Sequence, residues 1–350
     1  MFNLKIKKSI IFLVVILVMG IIAAGCGDNR PTINVYNWGD YIDKDVIKDF
    51  EKEYNIKVNY ETFATNEDLY VKIKQGGSSY DVIFPSDYMI ERMIREDLLV
   101  ELDKNNIPNL NNVDEDFFNL DFDPSNDYSV PYMWGTVGII YNKTMVDDVV
   151  DSWDILWNEK YKDQIIMLNS QRDTLAVALL KLGYSMNTRN INELEEAKQE
   201  LIKQRALVYA YQGDEVKDTM IGGEAALAVV WSGDAVAMIR ENSDLAYVIP
   251  KEGTNLWFDS MVIPSTTKNK EGAEAFINFL CRPDIAARNT DYIGYSTPIP
   301  EAVEMLPDDI KNSKVAYPSH EEIENTEIFK DPMDIIQEYD RIWTELMSEQ

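Results

Sequence analysis

The spacing of hydrophobic and polar residues between positions 32 and 95 predicts short strands that alternate with helices. Strands are indicated where apolar residues alternate or form short runs, and helices where apolar residues recur every three or four positions. The predicted elements, in chain order, are a strand at 32–36, a helix at 46–54, a strand at 57–60, a helix ending at Gly76-Gly77, a strand at 81–84 and a helix at 86–95. Strands joined through helices in this order favour a largely parallel sheet.

A second unit of the same kind is predicted further along the chain. Its elements, in chain order, are a strand at 164–168, a helix at 175–182, strands at 207–210 and 225–231, a helix at 235–240 and a strand at 245–249. We therefore expect an α/β fold of two lobes, each with a mostly parallel sheet flanked by helices. Trp153 and Trp157, four residues apart on a predicted helix, are assigned to the core, and a final helix around 335–342 is expected to pack on the second lobe.

Two extended apolar stretches, at 131–142 and 256–264, lie between the helical units and are predicted to cross from one lobe to the other. Two lobes joined by two extended crossings form a hinged clamp that can close around a ligand. The predicted boundaries are 32–136 with about 258–300 for lobe 1, and 137–257 with about 301–350 for lobe 2.

The N-terminal segment has the layout of a secretory signal peptide, with three lysines ahead of an apolar run that is too short to span a membrane comfortably. The run leads into Ala23-Ala24-Gly25-Cys26, which resembles a bacterial lipobox, where the cysteine is diacylated and becomes the new N-terminus. We predict a signal peptide at 1–26 and a tether at 27–31. The mature protein would be held by its lipid alone at the outer face of the cytoplasmic membrane, on the periplasmic side if the cell has an outer membrane.

The chain is strongly acidic, with 61 Asp and Glu residues against 33 Lys and Arg and a formal net charge of −28 at pH 7. A field of this sign repels nucleic acid and anionic lipid and concentrates cations near the protein. The second cysteine, Cys281, has no intramolecular partner once Cys26 is acylated, so no disulfide is expected. The charge therefore argues against a nucleic-acid partner and is compatible with a cationic ligand.

Sequence signatures of catalysis, of a metal or of a cofactor are missing. The single histidine, His320, lies in a polar stretch, and the chain has no H-E-x-x-H, no G-x-S-x-G and no phosphate-binding loop. The many acidic residues lack the spacing of a metal loop. A glycosidase that uses only carboxylates stays open, because its residues need no local signature. Otherwise we expect no enzyme, no cofactor and no metal site.

An aromatic residue beside an acid or a hydroxyl recurs at the predicted ends of strands. In open α/β sheets, ligands bind beyond the carboxyl ends of the strands, so these residues are expected to meet in one cleft. The segments are Asn37-Trp38-Gly39-Asp40-Tyr41, Pro85-Ser86-Asp87-Tyr88, Trp231-Ser232-Gly233-Asp234, Leu256-Trp257-Phe258-Asp259 and Ile293-Gly294-Tyr295-Ser296.

This combination fits an alkyl ammonium ligand better than other small solutes. Carboxylates balance the ammonium charge, while aromatic faces, Trp above all, attract the partly desolvated ammonium groups. A sugar would stack on Trp without needing several carboxylates. An iron site would favour Tyr and His ligands, and a peptide or amino acid would need an Arg for its carboxylate.

Some of these residues also have structural interpretations. Ser86 lies where a helix N-cap belongs, and Asp87 and Asp234 lie in first helical turns, where an acid stabilises the helix. Trp257 could belong to the core of a crossing strand. Asp259 is the hardest to explain structurally, because a lone acid on a buried strand is costly unless it is paired.

Seven short strings, spaced in order along most of the predicted mature chain, carry a resemblance to one family. They are YNWGDY at 36–41, YDVIFPS at 80–86, NDYSVPYMWG at 126–135, KLGYS at 181–185, WFDSMVIP at 257–264, INFLCRPD at 277–284 and IGYSTP at 293–298. These strings resemble the spermidine/putrescine-binding proteins of polyamine ABC importers. The resemblance implies a receptor of the two-lobe, type II periplasmic-binding-protein fold that delivers a polyamine to the permease subunits of an importer, and we expect a monomer.

The resemblance also implies roles for individual residues. Asp259 would pair with one amine of the polyamine and Asp173 with the other end, while Ser86 would form a hydrogen bond at one terminus. The aromatic residues implied to enclose the polyamine chain are Trp38, Tyr41, Tyr88, Trp231, Trp257 and Tyr295.

Three positions depart from the pattern of the family. Gly39 stands where the spermidine receptor has a hydroxyl residue, Ser170 where it has an acid, and Phe329 where a glutamine is expected. Asp40 and Asp87 could replace the missing charge, as acids do at similar places in putrescine-preferring relatives. Spermidine and putrescine both stay open as ligands, and a receptor for another solute, such as a sugar or an iron chelate, is the alternative.

Overall fold

The computed structural model describes residues 28, 30–76 and 79–348, so the predicted signal peptide and Cys26 lie outside the described residues. The strands are β1 (Thr32–Trp38), β2 (Lys57–Phe63), β3 (Val82–Ile83), β4 (Ser129–Asn142), β5 (Ile165–Leu168), β6 (Val208–Gln212), β7 (Leu227–Trp231), β8 (Leu245–Val248), β9 (Thr254–Val262) and β10 (Thr326–Glu327). The α-helices are α1 (Lys44–Tyr54), α2 (Asn66–Gln75), α3 (Asp87–Arg95), α4 (Gln171–Lys181), α5 (Ile191–Arg205), α6 (Val216–Ile221), α7 (Ser232–Glu241), α8 (Lys270–Leu280), α9 (Pro283–Ile293), α10 (Pro300–Glu304), α11 (Asp308–Lys311) and α12 (Ile336–Ser348).

The strands follow the order β2-β1-β3-β9-β4-β7-β5-β6, with β10 beside β9 and β8 beside β4. Strands joined through helices are parallel, as predicted: β1 pairs in this way with β2 and β3, and β5 with β6 and β7. The two predicted crossings, β4 and β9, are antiparallel to each other. β4 is also antiparallel to β7 and β8, and β9 is antiparallel to β3 and parallel to the short strand β10. The fold is therefore α/β, with the two units joined through this pair of strands.

The two crossings pair with each other, which their sequences did not reveal. Residues of β4 from Ser129 to Thr136 face residues of β9 from Val262 back to Leu256, with an irregularity between Pro131 and Met133. Beyond Thr136, β4 continues as the partner of β7 and β8. One strand thus runs through both units, and the middle of β9 lies between them.

Hydrophobic packing explains the position of the last helix. Tyr339, Ile342 and Leu346 of α12 are buried against Leu175 of α4 and Leu194 of α5, which confirms that the final helix packs on the helices that follow β5. Burial of each large side chain contributes about 1.5–3 kcal/mol. Helix α12 is therefore packed as a part of this unit.

Two further sequence expectations concern the core and the membrane. Trp153 is fully buried and Trp157 is half-buried, on a 3-10 helix (Trp153–Trp157) rather than on the α-helix that their spacing predicted. No helix within the described part of the chain has the length and apolar character needed to span a membrane.

Candidate ligand-binding site

Asp259 is a buried carboxylate at the middle of β9, only 6% exposed. Its Oδ1 accepts a hydrogen bond of 2.6 Å from Ser86 Oγ, and its Oδ2 accepts one of 2.7 Å from Tyr41 Oη. Burial raises the pKa of this carboxyl to about 6, although Ser86 and Tyr41 favour the charged form, and the nearby charge of Asp173 adds to the increase. In the described chain no Lys or Arg nitrogen lies within 4 Å of Asp259, so both of its partners are neutral.

Ser86 is turned toward Asp259 by an asparagine. Asn66 Nδ2 donates to Ser86 Oγ at 3.0 Å, and Asn66 Oδ1 accepts from the Ser86 amide at 3.1 Å. Ser86 therefore occupies the N-cap position of α3 without a side-chain capping bond. Its hydroxyl hydrogen is used for the Asp259 carboxylate instead of the helix end.

Asp87, the next residue, binds the backbone. Its Oδ1 accepts the Tyr88 amide hydrogen at 2.7 Å, and its Oδ2 accepts the Phe258 amide hydrogen at 3.0 Å, which ties α3 to β9. Burial raises the pKa of Asp87 to about 8, against the effect of these two N–H groups. The contacts of this carboxyl in the structure are those of an anchor between two elements.

Three aromatic rings form a cluster that includes Tyr41, the hydrogen-bond donor to Asp259. The Tyr295 ring lies 5.6 Å from the Tyr41 ring and 5.1 Å from the Trp257 ring, both in edge-on geometry. Two glycines make room for these rings. A Cβ at Gly135 would come within 2.6 Å of the Trp257 ring, and a Cβ at Gly233 would overlap the Tyr295 ring.

A second buried carboxylate, Asp173, lies in the first turn of α4. Its Oδ2 accepts from Ser170 Oγ at 2.7 Å, and its Oδ1 accepts from Asn255 Nδ2 at 3.3 Å. Burial raises the pKa of Asp173, while Ser170, Asn255, the charge of Arg172 and the neighbouring Trp231 favour its charged form. The structure thus brings Trp231 and Asp173 together, and places Asp173 close enough for its charge to act on Asp259.

Tyr88 lies in an aromatic cluster around a buried guanidinium. The Arg172 guanidinium carbon is 5.0 Å from the Tyr88 ring centroid and 4.3 Å from that of Phe329. The Tyr88 hydroxyl donates to Glu67 Oε1 at 3.0 Å. Phe329 is buried beside Tyr88, with ring centroids 6.1 Å apart.

The remaining predicted residues are Trp38, which is the last residue of β1, and Asp40, which lies two residues further on. Trp38 packs 4.4 Å from the Phe63 ring, and its indole N–H is buried without a hydrogen-bond partner among the described residues. Asp40 is exposed in the following turn, and its charge acts on Lys217. Asp40 has no contact with Asp259 of the kind made by Ser86 and Tyr41.

Sequence reasoning did not single out three residues that contribute to this region. Asn66 orients Ser86, Asn255 donates to Asp173, and Lys217 lies 3.4 Å from Asp234. No motif marks the two asparagines. For Lys217, the one signal in the sequence is its position shortly after the acidic pair Asp214-Glu215, which follows β6.

The chemistry of the site is that of cation binding. Asp259 and Asp173 are buried carboxylates with neutral partners, and aromatic faces lie beside them, which is the combination that holds an organic ammonium ion. Within residues 28, 30–76 and 79–348, no three His, Cys, Asp or Glu side chains gather in an arrangement that could hold a metal ion.

Comparisons with known proteins identify the family of this chain. The family model of bacterial extracellular solute-binding proteins matches residues 45–318. The spermidine/putrescine-binding periplasmic protein of Escherichia coli K12 is 40% identical over 313 residues, which are 89% of this chain and 90% of that protein.

Two solved structures extend the likeness to the fold. A spermidine/putrescine ABC transporter structure from Listeria monocytogenes is 45% identical with a TM-score of 0.88, covering 91% of this chain and 99% of the other. The TpPotD lipoprotein of Treponema pallidum is 28% identical with a TM-score of 0.82, covering 90% and 99%. This chain therefore belongs to the bacterial extracellular solute-binding proteins and, within them, to the family of spermidine/putrescine-binding periplasmic proteins.

Proposed function

We propose that this chain is an extracytoplasmic receptor that binds a polyamine, spermidine or putrescine, between its two lobes and delivers it to an ABC permease. The observation that carries the proposal is Asp259, a buried carboxylate whose two oxygens accept hydrogen bonds from two neutral hydroxyl groups, those of Tyr41 and Ser86. A buried acid of this kind is costly in the free protein, and a ligand ammonium would remove that cost. As a solute-binding protein, the chain is a receptor and not an enzyme.

The aromatic residues supply the second half of the interaction. Trp257, Tyr41 and Tyr295 present faces and edges beside the carboxylate, and cation–π attraction to a desolvated ammonium is worth about 2 kcal/mol. Asp173, with Ser170 and Asn255 as neutral donors, would take the other amine. A chain of methylenes between two ammonium groups would lie along the aromatic faces.

The proposal also concerns membrane attachment, the oligomeric state and the boundaries of the two lobes. We propose that residues 1–26 are removed, that Cys26 is acylated and that the receptor works as a monomer on the outer face of the cytoplasmic membrane. The related protein of Treponema pallidum is itself named a lipoprotein. The lobes would be residues 32–136 with about 258–300, and 137–257 with about 301–350. Replacing Cys26 with Ser should abolish labelling by a radioactive fatty acid and release the protein from the membrane fraction.

Isothermal titration of the mature protein with putrescine and with spermidine tests ligand choice directly. We expect saturable binding of at least one of them with a stoichiometry of one. The matched control is 1,4-butanediol, which has the same four-carbon chain as putrescine without the charges, and which should give no heat of binding. A panel of sugars and iron chelates in a thermal-shift assay serves as the second control.

Absence of binding by both polyamines, with stabilisation by a sugar or a chelate, would contradict the proposal. A ligand held at about a hundred times its Kd adds about 2.7 kcal/mol to the free energy of unfolding, so the panel is sensitive enough to detect such an alternative.

A further inference from the structure

The ammonium group of Lys217 lies beside Asp234, which is in the first turn of α7. Its Nζ lies 3.4 Å from Asp234 Oδ1 and 3.7 Å from Asp214 Oδ1. Burial works against the charged form, but Asp234, Asp214 and the more distant Asp40 outweigh it and hold the pKa of Lys217 above its usual value. The lysine is therefore a charged ammonium ion at any pH near neutrality.

Asp234 belongs to the same wall as the predicted ligand residues. It is 4% exposed and follows Gly233, whose α-carbon lies directly against the Tyr295 ring. Tyr295 in turn contacts Trp257 and Tyr41. The Tyr295 ring thus links the segment of Asp234 to Trp257 and Tyr41.

The four buried aspartates of this region differ in their partners. Asp259 and Asp173 accept from hydroxyl and amide side chains, and Asp87 accepts from two backbone N–H groups. In the part of the chain that the structure describes, only Asp234 among them has a lysine or arginine nitrogen within 4 Å. Its other oxygen, Oδ2, is buried and has no hydrogen-bond partner among the described residues, so this carboxylate could still accept another donor.

We propose that Lys217 is an internal counter-ion that fills the cation subsite at Asp234 and thereby limits the groove to ligands with two amines. The inference rests on the proposed polyamine function and deepens it. Asp259 and Asp173, which in the described chain have no lysine or arginine nitrogen within 4 Å, match the two charges of a diamine such as putrescine, although the Arg172 guanidinium acts on Asp173 from further away. A third ammonium that approached Asp234 would meet the like charge of Lys217, which is a repulsive element against a longer polyamine.

The test is the ratio of spermidine affinity to putrescine affinity, measured by titration calorimetry, in the wild-type protein and in Lys217→Met. Removing the ammonium frees the Asp234 carboxylate, and we expect the ratio to rise by about tenfold or more, the value of one added charge-assisted hydrogen bond. A ratio that stays the same, or falls, overturns the inference. Failure of the wild-type protein to bind either polyamine would instead contradict the proposed function.

Three control variants separate charge from packing. Lys217→Arg keeps the cation and should keep the wild-type ratio, and the double variant Lys217→Met with Asp234→Asn should return to that ratio because the freed carboxylate is gone. Lys181→Met is matched in chemistry, since Lys181 Nζ lies 3.5 Å from Asp154 and 3.3 Å from Glu200, and it should leave the ratio unchanged. If Lys217→Met does not fold, Lys217→Gln carries the same expectation, and thermal unfolding identifies which variants are native.

Discussion

Ser86 donates a hydrogen bond of 2.6 Å to Asp259 across 173 positions of sequence. The contact joins the start of α3 to the middle of β9, and it fixes one carboxylate oxygen without neutralising the charge. Tyr41 does the same for the other oxygen at 2.7 Å. The carboxylate is therefore held in place and left with its negative charge, as a receptor for a cation requires.

Replacing Asp259 with Ala should weaken polyamine binding by about 2–5 kcal/mol, because a buried charge pair loses one partner. Titration calorimetry with putrescine and spermidine measures the loss. Asp244→Ala, which removes an exposed aspartate from the turn before β8, is the control and should leave the affinity unchanged. If Asp259→Ala binds both polyamines as tightly as the wild-type protein, Asp259 is not the amine anchor.

Polyamine affinity should fall as the pH is lowered through about 6. The folded-state pKa of Asp259 is raised to about 6 by burial, above its usual 3.8, so the free protein takes up a proton there in mildly acidic solution. An ammonium ligand binds the ionised form, and the apparent affinity should drop by up to tenfold for each pH unit below 6. The groups that face this carboxyl are Ser86, Tyr41, Asp173 and, through α3, Asp87.

Calorimetry between pH 5 and pH 8 checks this dependence, with Asp259→Asn as the control that should lose it. The same pKa shift also predicts a difference in stability. Above pH 6, the ligand-free wild-type protein should be less stable than the Asp259→Asn variant, which lacks this carboxyl group. Because the raised pKa favours the folded state only where the group is protonated, Asp259→Asn should unfold at a higher temperature at pH 7, and the difference should vanish near pH 4. Equal polyamine affinity at pH 5 and pH 8 would contradict the assignment.

Replacing Trp257 with Leu should cost about 1–2 kcal/mol of binding free energy, the part that cation–π attraction supplies. The Trp257 ring packs edge-on against Tyr295 at 5.1 Å, so Trp257→Phe should keep part of that contact and part of the affinity. Calorimetry gives the affinities, and thermal unfolding of the free variants gives the stability. An unchanged affinity together with a large loss of stability would assign Trp257 to the core.

Gly135 makes room for the Trp257 ring, and adding one methyl group there should disturb it. A Cβ at this position would lie 2.5 Å from Ser232 Oγ and 2.6 Å from the Trp257 ring, closer than real contacts allow. Gly135→Ala should therefore weaken polyamine binding by about tenfold or more through displacement of the ring. Gly213→Ala, where the nearest atom is a flexible Glu215 oxygen at 3.6 Å, is the matched control and should behave as the wild-type protein.

Asp87 should matter more for folding than for binding. Its two oxygens satisfy the buried amides of Tyr88 and Phe258, and Asp87→Ala would leave both N–H groups without a partner, at a cost of about 1–3 kcal/mol each. Urea unfolding should show this loss, while the affinity for putrescine stays within about threefold of the wild-type value. A loss of affinity as large as that of Asp259→Ala, with normal stability, would make Asp87 a ligand contact instead.

The sequence alone determined the alternation of strands and helices and the identity of the two crossings. These features are encoded locally, because a period of two or of 3.6 residues decides which side chains one face can bury. The same local pattern drew attention to Asp259, since an acid between large apolar residues on a buried strand needs an explanation. Aromatic residues at strand ends pointed to one cleft for a related reason, because parallel strands end at a common edge.

Only the tertiary structure decided which of these residues meet. It showed that the Ser86 hydroxyl serves Asp259 and not the helix end, that Asp87 is bonded to the Phe258 amide of β9, and that Lys217 faces Asp234. Each of these partners is chosen by the way sheets and helices pack across long stretches of sequence. Where a side chain has one possible partner nearby in sequence and another far away, only the packed structure determines which of them it contacts. The charges around Asp259 and Asp234 are therefore set by the tertiary structure and not by any single sequence motif.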